Sequence, residues 1–245
     1  MKYRATFISD THLGFRGCQA ASLLAFLESL ETESLYLVGD IIDLWALSSS
    51  PNWRHKHTKV VNAVIKLARN GTKVFYIPGN HDEALRDYLP MTFEKIDLVA
   101  EADHITADGK RLLITHGDQF DSVVQQSALL AHIGSQLYDT SIWLNGHLNA
   151  ARARFGRPPW SLAGYLKRRV KNAVKYVSSF EDAAVQHARD SDYDGIICGH
   201  IHQACVTEMG GLVYGNCGDW VESCTAIVEL KDGTLEVIEY DNRRS

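Results

Sequence analysis

Five short apolar segments of the sequence each lead into a residue that can bind a metal ion. They are ATFIS before Asp10, SLYLVG before Asp40, KVFYIPG before Asn80, RLLIT before His116 and GIICG before His200. Carboxylate, amide and imidazole ligands without thiolates suit Mn, Fe, Zn or Mg rather than a soft-metal centre. The residue types therefore predict a site for one of these metal ions.

Two of these positions belong to closely spaced pairs. Asp10 and His12 form Asp-x-His, and His200 and His202 form His-x-His. Residues two apart on an extended backbone point to the same side, so each pair can close on one ion. Asp40, Asn80 and His116 bring the set to seven candidate ligands, which is too many for one ion. The set predicts a dinuclear site with a shared carboxylate.

The elements between the first three apolar segments explain how these residues could meet. Gln19 to Glu31 and Arg54 to Asn70 have the apolar period of helices, and Gly71 is placed as a C-cap. Alternating strands and helices indicate parallel βαβ units, whose right-handed connections align the carboxyl ends of the strands at one edge. Ligands bind at that edge in open α/β sheets.

The second half of the chain has a different pattern. ACVTEM, GLVYGN, CTAIVEL and TLEVIEY are short strand-like segments separated by Gly pairs or Asp-Gly, which predicts an antiparallel run. Between His116 and Gly195 lies a long insertion with little strand character. We predict helices within it around Ser122 to Tyr138 and Tyr165 to Arg189.

Composition limits the class of protein. The chain has 245 residues, 45% hydrophobic and 22% charged, as is usual for a soluble globular protein. A net charge of -5 argues against a general nucleic-acid binder. Five scattered cysteines without a CxxC pair indicate reduced thiols. The polar N-terminal segment and the lack of a long apolar run lead us to expect a cytoplasmic protein.

The blocks SDTHLG, GDIIDLW, GNHDE, THGD and GHIHQ resemble, in order, the five signature blocks of the calcineurin-like metallophosphoesterases. The resemblance covers most of the chain from Asp10 to His202 apart from the insertion. It implies a mixed α/β fold, a two-sheet β-sandwich flanked by helices. We therefore expect one metallophosphoesterase domain over residues 1–245, with a helical insertion or lid at about 121–190.

The resemblance also implies a role for each ligand. One divalent ion would be held by Asp10, His12, Asp40 and His202. The other would be held by Asp40, Asn80, His116 and His200, so that Asp40 bridges the pair. Manganese is the first expectation, with Fe, Zn, Mg or Ni as alternatives. Such a pair activates a water and stabilises the charge that develops during phosphoester hydrolysis.

The histidine of the GNHDE block, His81, would stabilise the transition state or protonate the leaving oxygen. Asp43 matches the family aspartate that orients this histidine, and a carboxylate behind an imidazole fixes its tautomer. Asp82 and Asp118 lie beside ligands in the sequence and are expected to be hydrogen-bond partners rather than ligands.

The insertion has an unusual charge pattern. No acidic residue occurs between Asp139 and Glu181. The same span contains eight basic residues: Arg152, Arg154, Arg157, Lys167, Arg168, Arg169, Lys171 and Lys175. A solvated helix face is one interpretation. Because acids usually alternate with bases on such faces, the pattern favours peripheral contact with a membrane surface through anionic lipid, or binding of a second phosphate.

An insertion at this place resembles the UDP-2,3-diacylglucosamine pyrophosphatases of lipid A biosynthesis, whose helical lid receives acyl chains and which release UMP. The best-known branch of that subfamily has Arg where this chain has His81. Three hypotheses follow: hydrolysis of a nucleotide-lipid diphosphate, hydrolysis of a soluble phosphoester such as a nucleotide, dinucleoside polyphosphate or phosphoprotein, and a non-catalytic binding module. The basic and apolar insertion motivates the first, which is the leading expectation, and a retained His81, which suits a poor alkoxide leaving group, motivates the second as the alternative.

Overall fold

The computed structural model describes residues 2–121 and 162–240. The helix predicted around Ser122 to Tyr138 lies outside the described residues. So do Arg152, Arg154 and Arg157 of the basic segment. Within the described ranges, no helix has the length and apolar character that a membrane crossing requires.

The structure contains twelve strands in its described ranges. They are β1 (Lys2–Ile8), β2 (Glu31–Val38), β3 (Lys73–Ile77), β4 (Met91–Phe93), β5 (Ile96–Leu98), β6 (Ala102–Ile105), β7 (Arg111–Ile114), β8 (Gly195–Cys198), β9 (Cys205–Met209), β10 (Leu212–Asn216), β11 (Thr225–Glu229) and β12 (Leu235–Glu239). The described helices are α1 (Ala20–Ser29), α2 (Leu44–Ser49), α3 (His55–Arg69) and α4 (Leu162–Asp190), with 3₁₀ turns at Glu83–Tyr88 and Asp118–Phe120.

The strands form two mixed sheets. The larger has the order β12-β11-β1-β2-β3-β5-β4, and the smaller has the order β6-β7-β8-β10-β9. Strands β1, β2, β3 and β5 run parallel to one another, as do β7, β8 and β10. The predicted βαβ start is therefore present, and the strand ends that carry ligands belong to both sheets rather than to one.

The two sheets pack face to face over a buried apolar cluster. Phe7, Tyr36 and Ile77 of the larger sheet meet Ile114 and Ile197 of the smaller one in this cluster. All five are buried, and the rings of Phe7 and Tyr36 stack with centroids 4.8 Å apart. This interlocked core fixes one sheet against the other, so the loops at their shared edge hold a constant relative position.

Helices α1 and α3 cover the outer face of the larger sheet. The buried residues of α3 include Val60, Val64 and Ala68, which recur every four residues as a helical face requires. Gly71 follows α3 with φ +104°, so it takes the left-handed C-cap conformation that the sequence predicted. Both predicted helices are confirmed in this region.

The predicted end of α1 was wrong by two residues. The sequence pattern extended this helix to Glu31, but it ends at Ser29, and Glu31 begins β2. Leu30 takes an extended backbone (ψ 127°) and is buried, so the chain turns directly from helix into strand. Apolar residues on both sides of this turn hid the boundary.

The C-terminal strands also differ from the prediction. Strands β9 and β10 pair antiparallel, and so do β11 and β12, as expected for hairpins. The two hairpins nevertheless lie in different sheets, because β10 pairs with β8 and β11 pairs with β1. The sequence pattern also missed β4, β5 and β6, whose three or four residues are too short for a clear period.

The chain divides into two compact units. One contains residues 1–118 and 184–245, and the other contains residues 119–183. Within the second unit, the Tyr176 hydroxyl donates a hydrogen bond to Asp121 Oδ1 at 2.6 Å, and the rings of Phe120 and Phe180 meet edge to face. Helix α4, predicted from Tyr165 to Arg189, is confirmed and begins three residues earlier.

Candidate metal centre

The first two candidate ligand loops are joined through their backbones. Asp10 and His12 follow β1, and Asp40 follows β2. The Asp10 N–H donates to Gly39 O at 3.0 Å, and the His12 N–H donates to Asp40 O at 2.9 Å. Because β1 and β2 are parallel neighbours, this pairing continues their alignment beyond the strand ends and brings three candidate ligands together.

The two carboxylates then hold the remaining loops. Asp40 Oδ1 accepts a hydrogen bond from the His81 N–H at 2.7 Å, which fixes the loop after β3. Asp10 Oδ2 accepts from the His200 N–H at 3.0 Å, which fixes the loop after β8 in the other sheet. One oxygen of each carboxylate is thus used for structure, and the other remains for the site.

The second oxygen of Asp40 is the point on which three imidazoles converge. Nε2 of His12 and Nε2 of His81 each lie 4.0 Å from Asp40 Oδ2, and Nε2 of His116 lies 3.5 Å from it. Asp40 and His116 are almost fully buried. This arrangement puts Asp40 Oδ2 among the imidazoles of three separate loops.

The other nitrogen of each converging imidazole has a partner of its own. Nδ1 of His12 lies 3.0 Å from Asp43 Oδ2, and Nδ1 of His81 lies 3.0 Å from Asp43 Oδ1. Nδ1 of His116 lies 3.0 Å from the carbonyl oxygen of Val38, which can only accept, so Nδ1 carries the proton. In a neutral His116, Nε2 therefore presents its lone pair to the centre, as metal-binding histidines do.

The three remaining candidate ligands are His202, Asn80 and His200, and each lies beside a residue already described. Nε2 of His202 lies 3.0 Å from Asp10 Oδ1. Asn80 Oδ1 lies 3.3 Å from His116 Nε2, and the ring of His200 meets the ring of His116 edge to face with centroids 5.1 Å apart. The structure therefore brings all seven predicted ligands to one place at the carboxyl edge of the two sheets.

The backbone of the site takes an unusual conformation at five of these positions. The φ angles are positive at Asp10, His12, Asp40, His200 and His202, between 47° and 70°. Residues with a Cβ adopt this left-handed region infrequently and at a cost in free energy. The surrounding hydrogen bonds hold the chain there, and the result is that side chains from separate loops face a common centre.

Three glycines beside the ligands leave no room for a side chain. A Cβ on Gly39 would overlap the His116 ring, and a Cβ on Gly79 would overlap the Asp40 carboxylate. A Cβ on Gly199 would lie 2.6 Å from Asp10 Oδ2. The glycines of GDIIDLW, GNHDE and GHIHQ are thus needed for close packing of the candidate ligands.

Electrostatics keep the two carboxylates ionised. Burial alone would raise the pKa of Asp10, but His202, His116 and His12 outweigh it and hold that pKa well below its usual range. The pKa of Asp40 is lowered against burial in the same way, chiefly by the hydrogen bond and charge of His116. For His116, burial would lower the pKa, but Asp40 and Asp10 raise it to about 10. These shifts pair each buried carboxylate with a positive imidazole, and a bound cation would supply that charge in its place.

The residues fit divalent metal ions. His12 Nε2 is buried and has no hydrogen-bond partner among the described residues, although it faces two carboxylates. Asp10, His12 and His202 form one cluster of close ligand atoms, and Asp10, Asp40 and His116 form another. A ring nitrogen left without a partner in a buried, acidic site is expected where an ion completes the coordination.

The predicted hydrogen-bond partners are where the sequence placed them. The buried carboxylate of Asp82 accepts from the backbone N–H groups of Ile41 at 3.0 Å and Gly79 at 2.6 Å, and from the Tyr76 hydroxyl at 2.5 Å. It therefore ties the Asp40 loop to the loop after β3. Asp118 accepts a hydrogen bond from Arg86 at 2.7 Å, and Arg86 also donates to the Pro78 carbonyl.

Sequence reasoning missed several residues that support the site. Asn216 donates to Gly199 O at 2.6 Å, beside His200. Asp219 Oδ1 accepts from three backbone N–H groups that follow it, and the Trp220 N–H donates to Asp10 O at 3.1 Å. The signal was present: NCGDW begins at Asn216, the last residue of β10, and β10 ends at the same edge as β8.

Trp45 was also missed. Its ring lies over the ring of His81, with centroids 4.3 Å apart and a tilt of 36°. Trp45 is 47% exposed, which is unusual for a residue of this size. The five cysteines are all free.

Comparison with solved structures identifies the fold. A hypothetical protein from Pyrococcus horikoshii OT3 superposes with a TM-score of 0.50 at 12% identity, covering 100% of this chain and 90% of that chain. At this identity the likeness concerns the fold alone. The two-sheet architecture with flanking helices predicted from the sequence is confirmed.

Two relatives in sequence carry the same name. A protein of Aeromonas salmonicida (strain A449) named UDP-2,3-diacylglucosamine hydrolase is 33% identical over 116 residues, 46% of this chain and 44% of that protein. A protein of Salmonella newport (strain SL254) with the same name is 28% identical over 211 residues, 83% of each chain. In the first of these alignments, this chain covers less than half of the relative's length.

The family model described as calcineurin-like phosphoesterase matches residues 3–204. The match includes every loop of the candidate metal centre, from Asp10 to His202. The signature blocks, the paired sheets and the converging carboxylates and imidazoles agree with it, and this chain belongs to the calcineurin-like phosphoesterase family.

Proposed function

We propose that this protein is a dinuclear metal-dependent phosphoester hydrolase. The observation that carries the proposal is the convergence of three imidazole Nε2 atoms on Asp40 Oδ2, at 3.5 to 4.0 Å. Their Nδ1 atoms face Asp43 or the Val38 carbonyl, so the Nε2 side of each ring is directed to the centre. This is the arrangement expected of ligands that await ions rather than of a closed hydrogen-bond network.

Each half of the site would hold one ion. Asp10, His12 and His202 would serve the first, Asn80, His116 and His200 the second, and Asp40 would be shared between them. When bound, two such ions supply an activated water and stabilise charge on the phosphoryl oxygens. The protein itself orients the ligands through Asp43, Asp82 and the backbone of the β1 and β2 loops.

We infer that His81 acts on the substrate rather than on the ions alone. Its side chain is 26% exposed, whereas that of His116 is 1% exposed, so a phosphate bound at the centre can reach it. Asp43 lies against its Nδ1 at 3.0 Å. Nε2 would therefore donate a hydrogen bond to a phosphoryl oxygen or a proton to the leaving oxygen.

Replacement of His81 by alanine tests this role. We expect a large loss of activity on alkyl phosphoesters and a much smaller loss on 4-nitrophenyl esters, since only the alkoxide needs a proton. The ratio of kcat/KM values for the two classes would be measured with wild type and His81→Ala. Equal losses on both would rule out the acid role and leave transition-state stabilisation.

For the substrate, we propose a nucleotide-lipid diphosphate of the UDP-2,3-diacylglucosamine kind. The relatives from Aeromonas salmonicida and Salmonella newport carry that substrate in their names, and the Salmonella alignment spans 83% of both chains. The test is UMP release from UDP-2,3-diacylglucosamine by the Mn-loaded protein, with Asp40→Ala as control. Release that the control abolishes supports the proposal.

A soluble phosphoester is the second candidate, and His81 favours it. An acid beside the metal centre is most useful when the leaving group is a poor alkoxide, as in a nucleotide monoester. If the Mn-loaded protein releases no UMP but hydrolyses nucleotide esters in a metal-dependent way, this candidate replaces the first. A non-catalytic binding module would be indicated if calorimetry showed no tight binding of divalent metal, or if Asp40→Ala left the function intact.

Manganese and contact with the inner face of a membrane also belong to the proposal. The Asp and His ligands suit Mn, Fe, Zn, Mg or Ni, and activity with each ion would rank them. The basic segment that ends at Lys175 would bind anionic vesicles at low salt and release them at high salt. If the protein bound neutral and anionic vesicles with equal affinity, the proposed contact with anionic lipid would be contradicted.

A further inference from the structure

Trp45 occupies a position that the metal centre alone does not require. It lies in the first turn of α2, two residues after Asp43, and its ring faces the ring of His81 at 4.3 Å. Nearly half of its surface is exposed to solvent. A large aromatic side chain half open to water beside a candidate active site is the kind of surface that contacts a ligand.

Hydrogen bonds anchor the backbone of the short helix that carries Trp45. Asp43 caps α2 by accepting from the Ala46 N–H at 2.7 Å, and the Leu44 N–H donates to the His81 carbonyl at 3.1 Å. The start of α2 is therefore tied directly to the loop that carries His81. A ring held on a short, anchored helix can form a wall of a binding site at little cost in side-chain entropy.

His81 contacts two rings. The Trp45 ring is tilted against it, and the His12 ring meets it edge to face with centroids 4.6 Å apart. The Nε2 atom of His81 faces Asp40. A phosphate held at Asp40 would thus lie near His81, and a group carried on that phosphate toward His81 would come near the exposed Trp45 ring.

We propose that Trp45 is a specificity-determining residue, which stacks against a planar ring carried on the phosphorus of the ligand. The inference rests on the proposed function, since it assumes that phosphate binds at the metal centre. A nucleobase or an aryl group supplies such a ring. An indole face binds these planar systems better than a saturated chain of the same size, because stacking adds to the burial of apolar surface.

Phosphonates test this without hydrolysis, because their phosphorus–carbon bond is not cleaved. Calorimetry would give the Kd of the Mn-loaded protein for methylphosphonate, benzylphosphonate and n-hexylphosphonate. Trp45→Leu removes the ring but keeps an apolar side chain, and Trp45→Phe keeps a ring. The matched control is Trp53→Leu, since Trp53 is 43% exposed and its ring lies against His57 instead.

We expect Trp45→Leu to weaken benzylphosphonate about tenfold, the range of one stacking contact, and to leave methylphosphonate nearly unchanged. Trp45→Phe should retain most of the affinity, and Trp53→Leu should match wild type. Equal losses for benzylphosphonate and n-hexylphosphonate would overturn the ring specificity, and no loss at all would overturn the contact.

The same titrations separate this inference from the proposed function. If wild type binds methylphosphonate only with metal present, and Trp45→Leu leaves the affinity for benzylphosphonate unchanged, the inference alone fails. If wild type binds none of the three phosphonates in the presence of Mn²⁺, the proposed phosphate site fails and the role of Trp45 falls with it.

Discussion

Oδ2 of Asp43 lies 3.0 Å from Nδ1 of His12, while the other oxygen of the same carboxylate faces His81. One residue thus orients a candidate metal ligand and the candidate acid together. Burial would raise the pKa of Asp43, but the hydrogen bond with His12 and the adjacent His81 ring outweigh it and lower that pKa below its usual value. Asp43 is therefore ionised at neutral pH and stabilises both rings.

This double contact predicts the effect of Asp43→Asn. The amide keeps the size of the side chain but loses the charge and one acceptor, so His12 and His81 cannot both be held as before. Metal affinity should fall about 10- to 100-fold, as for other groups that orient a ligand. Competition with a chelating dye would measure it. Asp87→Asn, at an exposed position, is the control. Equal affinity in both variants would contradict the orienting role.

Substitutions at two glycines distinguish the effect of backbone strain from the effect of a clash with a candidate ligand. Gly39 and Gly71 both have positive φ, +77° and +104°, so alanine costs about 1–2 kcal/mol of backbone free energy at either. Only at Gly39 would the added methyl overlap the His116 ring, since the space beside Gly71 is open. We expect Gly39→Ala to lose metal binding and Gly71→Ala to keep it. If both variants lost metal binding to a similar extent, backbone strain rather than overlap with His116 would explain the loss.

Asp82 should matter for stability more than its neighbour Tyr76. Asp82→Ala removes the acceptor of several buried N–H groups, so the free energy of unfolding should drop on the order of 4 kcal/mol. Tyr76→Phe removes a single hydrogen bond, which corresponds to about 1.5 kcal/mol. Urea unfolding would compare them. If Tyr76→Phe lowered the free energy of unfolding as much as Asp82→Ala, the backbone N–H groups bound by Asp82 would not account for its contribution to stability.

Metal binding should also stabilise the folded protein. The ligands come from five separate loops, so an ion binds the native state far better than the unfolded chain. At a free concentration 100 times Kd, each ion adds about 2.7 kcal/mol. Thermal unfolding with Mn²⁺ and with EDTA would show a higher Tm in Mn²⁺. His116→Ala should greatly reduce this shift, and a full shift in that variant would exclude His116 as a ligand.

Much of this architecture could be predicted because polar residues at the ends of apolar segments are costly to bury without a purpose. Asp10, Asp40 and His116 are nearly fully buried, and each follows a strand that the sequence revealed. The order of the signature blocks then supplied the pairing of ligands. Fold class and the assembly of the candidate site were therefore accessible before any coordinates.

Other features depend on contacts between distant residues. No local pattern shows that β10 pairs with β8 while β11 pairs with β1, because the choice depends on packing between sheets. The role of Trp45 was hidden for the same reason: its contact with His81 spans 36 positions and follows from how α2 is anchored. The positive φ angles at the candidate ligands were equally invisible, because residues with a Cβ adopt them too rarely for a local pattern to reveal them.

The most direct test of the central claim is hydrolysis of bis(4-nitrophenyl) phosphate by metal-stripped protein during titration with Mn²⁺. We expect no activity without metal, a rise to a plateau at about two equivalents as a dinuclear site requires, and no activity in Asp40→Asn. Activity that is independent of metal, or that survives in Asp40→Asn, would contradict the assignment of Asp40 as the shared ligand of a catalytic metal pair.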